Sequence, residues 1–437
     1  MIIRKFGGTS ISSADMMRNV RNIVNDEEEQ IIVLSAIAGI TNRLENIVEY
    51  INSKSIDLAK NELNSIHEKY IDFVDGLIVN TDIREECYEY LRLRKSVIIS
   101  IIDNPIKNYN NSIITADGEL ISTFIFHKYR LSLGEDTILI SALDFMRIDK
   151  SNEPDEFYIR ENLSRILKEN KSKTIITQGY ICRDAFGEVS NLERGGSDYT
   201  ATIIAKAIRA SRIEIWTDID GIHNNDPRYV ENTEAIDSLS FDEAAELAYF
   251  GAKILHPTAL QPAASSYINV FLKNTMNPRA RGTVISSAHI SDGIKAIAAK
   301  DNITVIRIKS ARMLNAYGFL SKVFEVFELY KTAIDMITTS EVAISVTIDN
   351  NTYLKNIIKD LSHFSDVEYD IHQSIIAVVG IMKIDKEGYA AMVFNALNQI
   401  PVRMISYGAS NYNVSILLDT KYKKKALNTL QNSIMNN

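Results

Sequence analysis

The stretch RKFGGTSISSAD, residues 4–15, follows two isoleucines and runs through a lysine, adjacent glycines and several hydroxyl side chains. The isoleucines predict a buried strand, and the serine pair at 12–13 predicts a helix start, because apolar residues follow at helical spacing. The four-residue spacing and closing Lys-Ser/Thr of a Walker loop do not occur in it. We therefore predict a strand, a glycine turn and a helix, which is a typical opening of an α/β fold.

The same alternation continues after this unit. IIVLSA (31–36) is continuously apolar, as is typical of a strand buried on both faces of a parallel sheet. Further strands are predicted at DTILISA (136–142), TIITQGYI (174–181), RIEIWTDI (212–219), INVFLKNT (268–275) and RGTVIS (281–286), with helical runs at 199–210 and 241–250. This pattern predicts an open, mostly parallel sheet in a domain of residues 1–292. Residues 43–110 are predicted to form two or three helices that pack against the sheet.

Residues 293–437 have a different pattern of predicted strands and helices. Alternating strands at 303–310 and 342–349 flank a helical run, and a similar set follows with strands at 374–381 and 413–419. We predict a duplicated α+β module of about 70 residues per copy, with helices near 318–330 and 388–397.

Composition excludes several classes of protein. The 437 residues are 46% apolar and 24% charged, as expected for a folded chain of two or three domains. A net charge of −8 argues against a nucleic-acid surface. The two distant cysteines, Cys87 and Cys182, exclude a disulfide framework and a cysteine-rich metal site. Since the chain has no signal-peptide pattern and no apolar stretch of membrane-spanning length, we predict a cytoplasmic location.

Two glycine pairs could hold an anion. Gly7-Gly8, with Lys5 before them, allow backbone amides and a helix N-terminus to approach a phosphate, although a plain turn explains them equally well. The second pair, in RGGSDYTA (194–201), also precedes a helix, and Ser197 and Asp198 are capping candidates there. Two such turns in one domain favour the anion-binding interpretation.

A third cluster, WTDIDGIHNNDPR (216–228), follows an apolar strand and places acidic side chains at the edge where open α/β sheets bind ligands. Asp218 or Asp220 could assist a magnesium ion, but a plain turn is the alternative, and no metal ligand is assigned. His256 is interpreted as structural, and no GxSxG or HExxH motif is present. Together with Lys253, these clusters suit phosphoryl transfer, and the residues alone do not name the substrate.

The blocks KFGGTS, SAIAGITN, RGGSDYTA, WTDIDGI, ELAYFGAKILHP and KNTMNPRARGT, in this order, resemble the signature blocks of the aspartate kinases. The similarity extends over essentially the whole chain. It implies an amino-acid-kinase domain of the carbamate-kinase-like type followed by two ferredoxin-like ACT modules. The implied reaction is ATP- and Mg²⁺-dependent phosphorylation of the β-carboxylate of L-aspartate, the entry step to lysine, threonine and methionine synthesis. A chain ending at Asn437 is expected to be monofunctional, without a fused homoserine dehydrogenase.

The resemblance also implies residue roles. Catalytic roles fall on Lys5, Arg194, Asp198 and Lys253. The nucleotide is expected to be bound by Lys5, Phe6, Gly7, Gly8, Thr9, Ser10, Thr217, Asp218, His223, Arg228, Lys253 and Ile254. The substrate is expected to be bound by Thr41, Glu119, Arg194, Gly195, Ser197 and Asp198, with Arg194 clamping the α-carboxylate. No general base is required, because the attacking carboxylate is already ionised at pH 7.

Two positions depart from the family pattern. Family members commonly have a glycine at the position of Glu193 and a tyrosine at that of His223. Neither change removes a charged catalytic group, so activity is expected, with altered affinity for the nucleotide or for aspartate.

The C-terminal blocks ML…YGFLSKVFEVF (313–327) and DMITTSEVAISVTID (335–349) resemble the lysine-inhibited type. Lysine would contact Met313, Gly318, Phe319, Leu320, Ser340 and Glu341, although packing is the alternative for the three apolar side chains. Threonine is the other candidate effector, and pairing of ACT modules implies a homodimer or homotetramer. The rival functions are another amino-acid kinase, such as glutamate 5-kinase or acetylglutamate kinase, and a catalytically weak amino-acid sensor.

Overall fold

The structure is a computed structural model that describes residues 1–24, 28–104, 110–192, 195–251, 255–288, 292–310, 317–382 and 387–435. These residues form two compact units. The first comprises Met1–Ile222, Asp237–Phe241 and Leu255–Ala288, and the second comprises His223–Ile236, Asp242–Ile254 and His289–Asn437. Two short segments that precede residue 288 therefore belong to the second unit.

The first unit contains an eight-stranded sheet and a two-stranded hairpin. Its strands are β1 (Ile2–Phe6), β2 (Gln30–Leu34), β3 (Thr137–Leu139), β4 (Thr174–Gln178), β5 (Ile181–Arg183), β6 (Val189–Asn191), β7 (Arg212–Thr217), β8 (Ser238–Ser240), β9 (Val270–Asn274) and β10 (Thr283–Ser286). The sheet order is β3-β4-β2-β1-β7-β9-β10-β8, and β5 pairs with β6. All neighbours in the large sheet are parallel except β9 and β10. The predicted open, mostly parallel sheet is confirmed.

The described residues between 14 and 265 form ten α-helices. They are α1 (Ala14–Ile23), α2 (Ile40–Asn52), α3 (Ile56–Leu77), α4 (Thr81–Asp103), α5 (Ser112–Thr115), α6 (Asp117–Ser132), α7 (Glu156–Glu169), α8 (Gly196–Ile208), α9 (Phe241–Tyr249) and α10 (Pro257–Ser265). Helices α2 to α4 account for the predicted helical excursion. Their apolar faces join one core with Phe6 and Trp216 of the sheet, which explains why helices this long are stable there.

The second unit contains a six-stranded antiparallel sheet in the order β12-β13-β11-β14-β16-β15. Its strands are β11 (Gly293–Lys309), β12 (Ile337–Thr339), β13 (Ala343–Ile348), β14 (Asp366–Ile381), β15 (Met404–Tyr407) and β16 (Asn413–Asp419). Its further helices are α11 (Phe319–Leu329), α12 (Leu354–Leu361), α13 (Tyr389–Ala396) and α14 (Lys423–Leu430). Two separate cores, one around α11 and α12 and the other around α13 and α14, confirm two α+β modules.

The two modules are interleaved through β11 and β14. The second half of β11 pairs with β13 and with the first half of β14, whereas its first half pairs with the second half of β14. At the crossing point the register shifts, and Asn302 and His372 both have φ of 60°. The sequence prediction of strands at 303–310 and 374–381 found only one half of each strand. The kink breaks the alternation that identifies a strand, and the other halves were therefore missed.

None of the helices in the described part of the chain combines the length and apolarity that are needed to cross a membrane.

Candidate functional site

The site lies in the first unit, where β1, β2, β4 and β7 end on the same edge of the sheet. The loop that follows β2, residues 35–38, connects its parts. The amide of Ala38 donates to the Gly8 carbonyl (3.2 Å), and the Ser35 hydroxyl donates to Ser197 Oγ (2.9 Å). The amide of Ala36 donates to Glu119 Oε1 (3.1 Å). Turns from four distant parts of the sequence are thereby held around one space.

The first glycine pair forms the turn that the sequence predicts. A Cβ atom at Gly8 would lie only 2.7 Å from the Ala36 carbonyl oxygen, so the close approach of the two loops requires glycine there. The turn leads into a short 3₁₀ helix, Gly8–Ile11, and α1 begins at Ala14 with Ser13 as its N-cap. The helix start predicted at the serine pair 12–13 is confirmed, and the 3₁₀ turn separates the glycine pair from α1.

Lys5 and Asp198 are paired across the site. The distance from Lys5 Nζ to Asp198 Oδ1 is 2.6 Å, and the two side chains are only 12% and 15% exposed. Asp198 lies in the first turn of α8, whose N-cap is Gly195 with φ of 77° and no side-chain cap. The predicted capping role of Ser197 and Asp198 is therefore wrong. Since the glycine ends the turn, both side chains are left to face the site.

Gly179, which the sequence analysis did not single out, allows α8 to begin this close to β4. A Cβ atom at Gly179 would lie 2.3 Å from the side chain of Ser197. The next residue, Tyr180, has φ of 65°, an unusual conformation for a bulky residue, and its amide donates to Thr200 Oγ1 (2.9 Å). A glycine followed by an aromatic residue at a strand end was the available signal, but it is common in sequences.

Glu119 is the buried acid of the site. It lies in the first turn of α6, is 3% exposed, and its Oε2 has no hydrogen-bond partner among the described residues. Burial raises the pKa of the Glu119 carboxyl to about 8, although the bond from the Ala36 amide opposes this. A carboxyl with one free oxygen, which gains from a nearby positive charge, suits a substrate ammonium group.

Three helices begin around this space, namely α2, α6 and α8. Their N-terminal amides favour negative charge. Thr41, predicted to contact the substrate, is half-buried in the first turn of α2, whose N-cap is Gly39 with φ of 81°. The site therefore combines three helix N-termini, which favour negative charge, with the buried carboxyl of Glu119.

The remaining residues of the first unit that are predicted to bind the nucleotide differ in how exposed their side chains are. Thr9 and Asp218 are exposed, and Thr217 is half-buried, with its hydroxyl 3.1 Å from Asp218 Oδ1. Phe6 is fully buried, and the Ser10 hydroxyl lies 2.7 Å from that of Thr275. The side chains of Phe6 and Ser10 therefore stabilise the turn, so that only their backbone is open to a ligand.

His223 and Arg228 belong to the second unit. His223 Nδ1 lies 2.9 Å from Thr233 Oγ1, and the exposed Arg228 forms a two-pronged bond with Asp226, with Nη2 to Oδ2 at 2.7 Å. His256, interpreted as structural, caps α10 by accepting from the Thr258 amide. Five residues named in the sequence analysis lie outside the described residues: Glu193, Arg194, Lys253, Ile254 and Met313.

The predicted effector residues that the structure describes lie in the first module. Gly318, with φ of 83°, is the N-cap of α11, and Phe319 is buried against Phe364 at a ring-centroid distance of 5.9 Å. Leu320 is exposed, and Ser340 and Glu341 are exposed in the turn between β12 and β13. Packing therefore accounts for Phe319, while the other described members are accessible.

Comparison with known proteins gives consistent matches. Residues 1–274 match the amino acid kinase family, and residues 376–434 match the ACT domain. The chain is 33% identical to the lysine-sensitive aspartokinase 3 of Escherichia coli, over 99% of both chains. It is also similar to the crystal structure of E. coli aspartokinase III with aspartate and ADP (TM-score 0.86, 31% identity, 100% of both chains). The structure of that enzyme with lysine and aspartate gives a TM-score of 0.81 at 32% identity over 99% of both chains.

Proposed function

The chain belongs to the aspartokinases of the amino acid kinase family, and we propose that it phosphorylates L-aspartate at the site formed by Lys5, Glu119 and Asp198. The reaction transfers the γ-phosphoryl group of ATP to the β-carboxylate, giving 4-phospho-L-aspartate and ADP. The interpretation as a catalytically weak sensor is not favoured, because the matched relatives are aspartokinases.

The substrate has two carboxylates and one ammonium group, and the site offers a partner for each kind of charge. The unpaired oxygen of Glu119 would receive the ammonium group. The N-terminal amides of α2 and α8 would favour the carboxylates, and Arg194, implied by the family resemblance, would clamp the α-carboxylate. Ser197, fixed by Ser35, lies at the same helix end.

Lys5 would act on the transferred phosphoryl group. Its ammonium is held by Asp198 before any ligand binds, so little reorganisation is needed when charge develops. The attacking carboxylate needs no base, and catalysis then rests on alignment and on the positive charge. The amides of Gly7 and Gly8 would approach the phosphates closely, as the contact between Gly8 and Ala36 allows.

Magnesium is proposed to enter with the nucleotide. No group of three His, Cys, Asp or Glu side chains suited to a metal lies within the described ranges. Mg²⁺ commonly takes substrate phosphates, water and one or two carboxylates rather than a protein cage, so this site is compatible with it. Bound there, it would offset phosphate charge, and Asp218 and Asp220, both exposed, are the two carboxylates proposed for it.

The observation that carries the proposal is the Lys5–Asp198 pair placed on the same loop system as the buried Glu119. An ATP-dependent assay that traps acyl phosphate with hydroxylamine tests it. We expect hydroxamate from L-aspartate, and none from L-glutamate or N-acetylglutamate. Product from either of those acids would favour another amino-acid kinase, and no product from any acid would restore the sensor interpretation.

We propose lysine as the effector and the first module as its site. The relative that matches over 99% of both chains is lysine-sensitive, and Gly318 leaves the N-terminus of α11 without a side-chain cap. The N-terminal amides of α11 would receive the α-carboxylate, and Glu341 would pair with an ammonium group.

Replacing Glu341 with alanine is expected to raise the lysine concentration for half-inhibition about tenfold or more and to leave kcat unchanged, since the residue lies in the regulatory module. The comparison is an inhibition curve beside Glu328→Ala, which removes an exposed glutamate of the same module. Equal curves for both variants would place the effector site elsewhere, and threonine inhibition measured in parallel identifies the alternative effector.

Pairing of two chains through this sheet is also proposed. Strands β12 and β15 each pair on one side only within the described residues, and both expose an isoleucine, Ile337 and Ile405. Unpaired edges that carry apolar side chains are commonly covered by another chain.

A further inference from the structure

A small cavity is lined by helices α3, α4 and α6. It measures about 20 Å³, which is room for one water molecule. Its walls are mostly leucine and isoleucine side chains. The polar residues that reach it are His67 and Tyr70 of α3, Lys95 of α4 and Asp117 of α6.

Three polar atoms around this cavity have no hydrogen-bond partner among the described residues: Tyr70 Oη, Asp117 Oδ2 and His67 Nε2. Tyr70 is 2% exposed and Asp117 is 1% exposed, so bulk water cannot satisfy them. Buried polar atoms in native proteins are normally bonded, if not to protein then to an internal water. A cavity of this size, lined by three residues with unsatisfied polar atoms, is suited to one internal water.

Asp117 is two residues before Glu119, in the same first turn of α6. Its other oxygen, Oδ1, accepts from Arg94 Nε at 2.8 Å. Burial raises the pKa of the Tyr70 phenol well above its usual range, and the charges of Glu119 and Asp117 raise it further, with Glu119 the stronger of the two. The phenol is therefore always a donor, close to two carboxyl groups that each have an unmatched oxygen.

We propose that Tyr70 is a positioning residue for the aspartate site, and that through one internal water shared with Asp117 and His67 it fixes the first turn of α6 and thus Glu119. A donor that reaches Asp117 favours the ionised form of that carboxyl, which also accepts from Arg94 and so holds the first turn of α6 in place. The charged and titratable groups facing this cluster are Tyr90, Arg92, Arg94 and Lys95 from α4, His67 and Glu68 from α3, and Asp117 and Glu119 from α6. Helix α2 contributes Leu44. The inference rests on the proposed role of Glu119.

The test is Tyr70→Phe in the full chain, which removes only the hydroxyl. The KM for aspartate should rise about three- to tenfold, with kcat and the KM for ATP changed less than about twofold. The pH at which kcat/KM for aspartate rises should also shift, because the first turn of α6, and with it the surroundings of the Glu119 carboxyl, is no longer fixed. A merely structural tyrosine would not move that profile.

Tyr88→Phe is the matched control. Tyr88 lies on α4 and its hydroxyl bonds Asp75 of α3, but at the surface. The Tyr88→Phe variant should have the same KM for aspartate and the same pH profile as the unmodified chain. The positioning role is overturned if Tyr70→Phe leaves the KM for aspartate and the pH profile unchanged. It is also overturned if Tyr70→Phe lowers kcat/KM for aspartate and kcat/KM for ATP by the same factor. Glu119→Gln in the same assays separates the two hypotheses, because an unchanged KM for aspartate there would refute the role of Glu119 itself.

If the Tyr70→Phe variant does not fold, a high-resolution crystal structure of the unmodified chain tests the proposal instead. Density for one water within hydrogen-bond distance of Tyr70, Asp117 and His67 is expected. A dry cavity would overturn the proposal.

Discussion

Replacing Lys5 with methionine is expected to lower kcat about 10²- to 10³-fold, as removal of one preorganised donor to a developing negative charge does elsewhere. Methionine keeps most of the length and volume of the side chain and removes its charge. Because Asp198 loses its partner at 2.6 Å, part of the loss will reflect an unpaired carboxylate beside the phosphates. Steady-state kinetics with both substrates varied measure the effect.

Lys206→Met is the control for this substitution. Lys206 lies on α8, the helix that carries Asp198, and forms an ion pair of the same length with Glu156 at the surface (Nζ to Oε1, 2.6 Å). Its kcat should be that of the unmodified enzyme. If Lys5→Met changes only the KM for ATP, Lys5 binds the ground state and the transition state equally, and the catalytic assignment fails.

The value of kcat/KM for aspartate is expected to rise with pH, by up to about tenfold per unit, and to level off above the Glu119 pKa of about 8. The direction of this dependence follows from the burial of Glu119, which raises the pKa of its carboxyl. Below this pH the free enzyme holds Glu119 protonated, whereas the substrate ammonium requires the ionised form, so binding must release a proton. The profile of kcat/KM against pH, with ATP saturating, measures it.

Glu119→Gln should remove this dependence and lower kcat/KM for aspartate at pH 8 by about 30- to 100-fold, the expected loss of one hydrogen bond to a charged group. Glutamine retains the bond from the Ala36 amide and nearly the same shape. The profile for ATP at saturating aspartate serves as the control and should not show the rise. A rise that persists in the glutamine variant would assign the titration to another group.

Sequence patterns were sufficient for the parts of this molecule that depend on local spacing. The parallel sheet, the excursion of α2 to α4 and the glycine turn at Gly7 and Gly8 each have a periodic or compositional signal, and all are present. The pairing of Lys5 with Asp198 had no such signal. It depends on the adjacency of β1 and the start of α8, which the sheet order alone decides.

Other features escaped because their cause is an approach between distant segments. Gly179 is needed only because Ser197 packs on it, and the loop 35–38 matters because three elements bond to it. The capping role expected for Ser197 and Asp198 was wrong for a similar reason, since Gly195 takes the left-handed position that ends the turn. The roles of Arg194, Lys253, Ile254 and Met313 stay predictions.

The interleaving of β11 and β14 has a consequence for how the chain is made. During synthesis on the ribosome, the first module can close as soon as residue 372 has emerged, since all its strands are then available. The first half of β11 must wait, because it pairs from Gly293 with Ile381 at the far end of β14. Until then it is an unpaired apolar segment ahead of a folded module, exposed to wrong partners on a neighbouring nascent chain. The second module is therefore the last to fold, although its first strand is translated before any part of the first module.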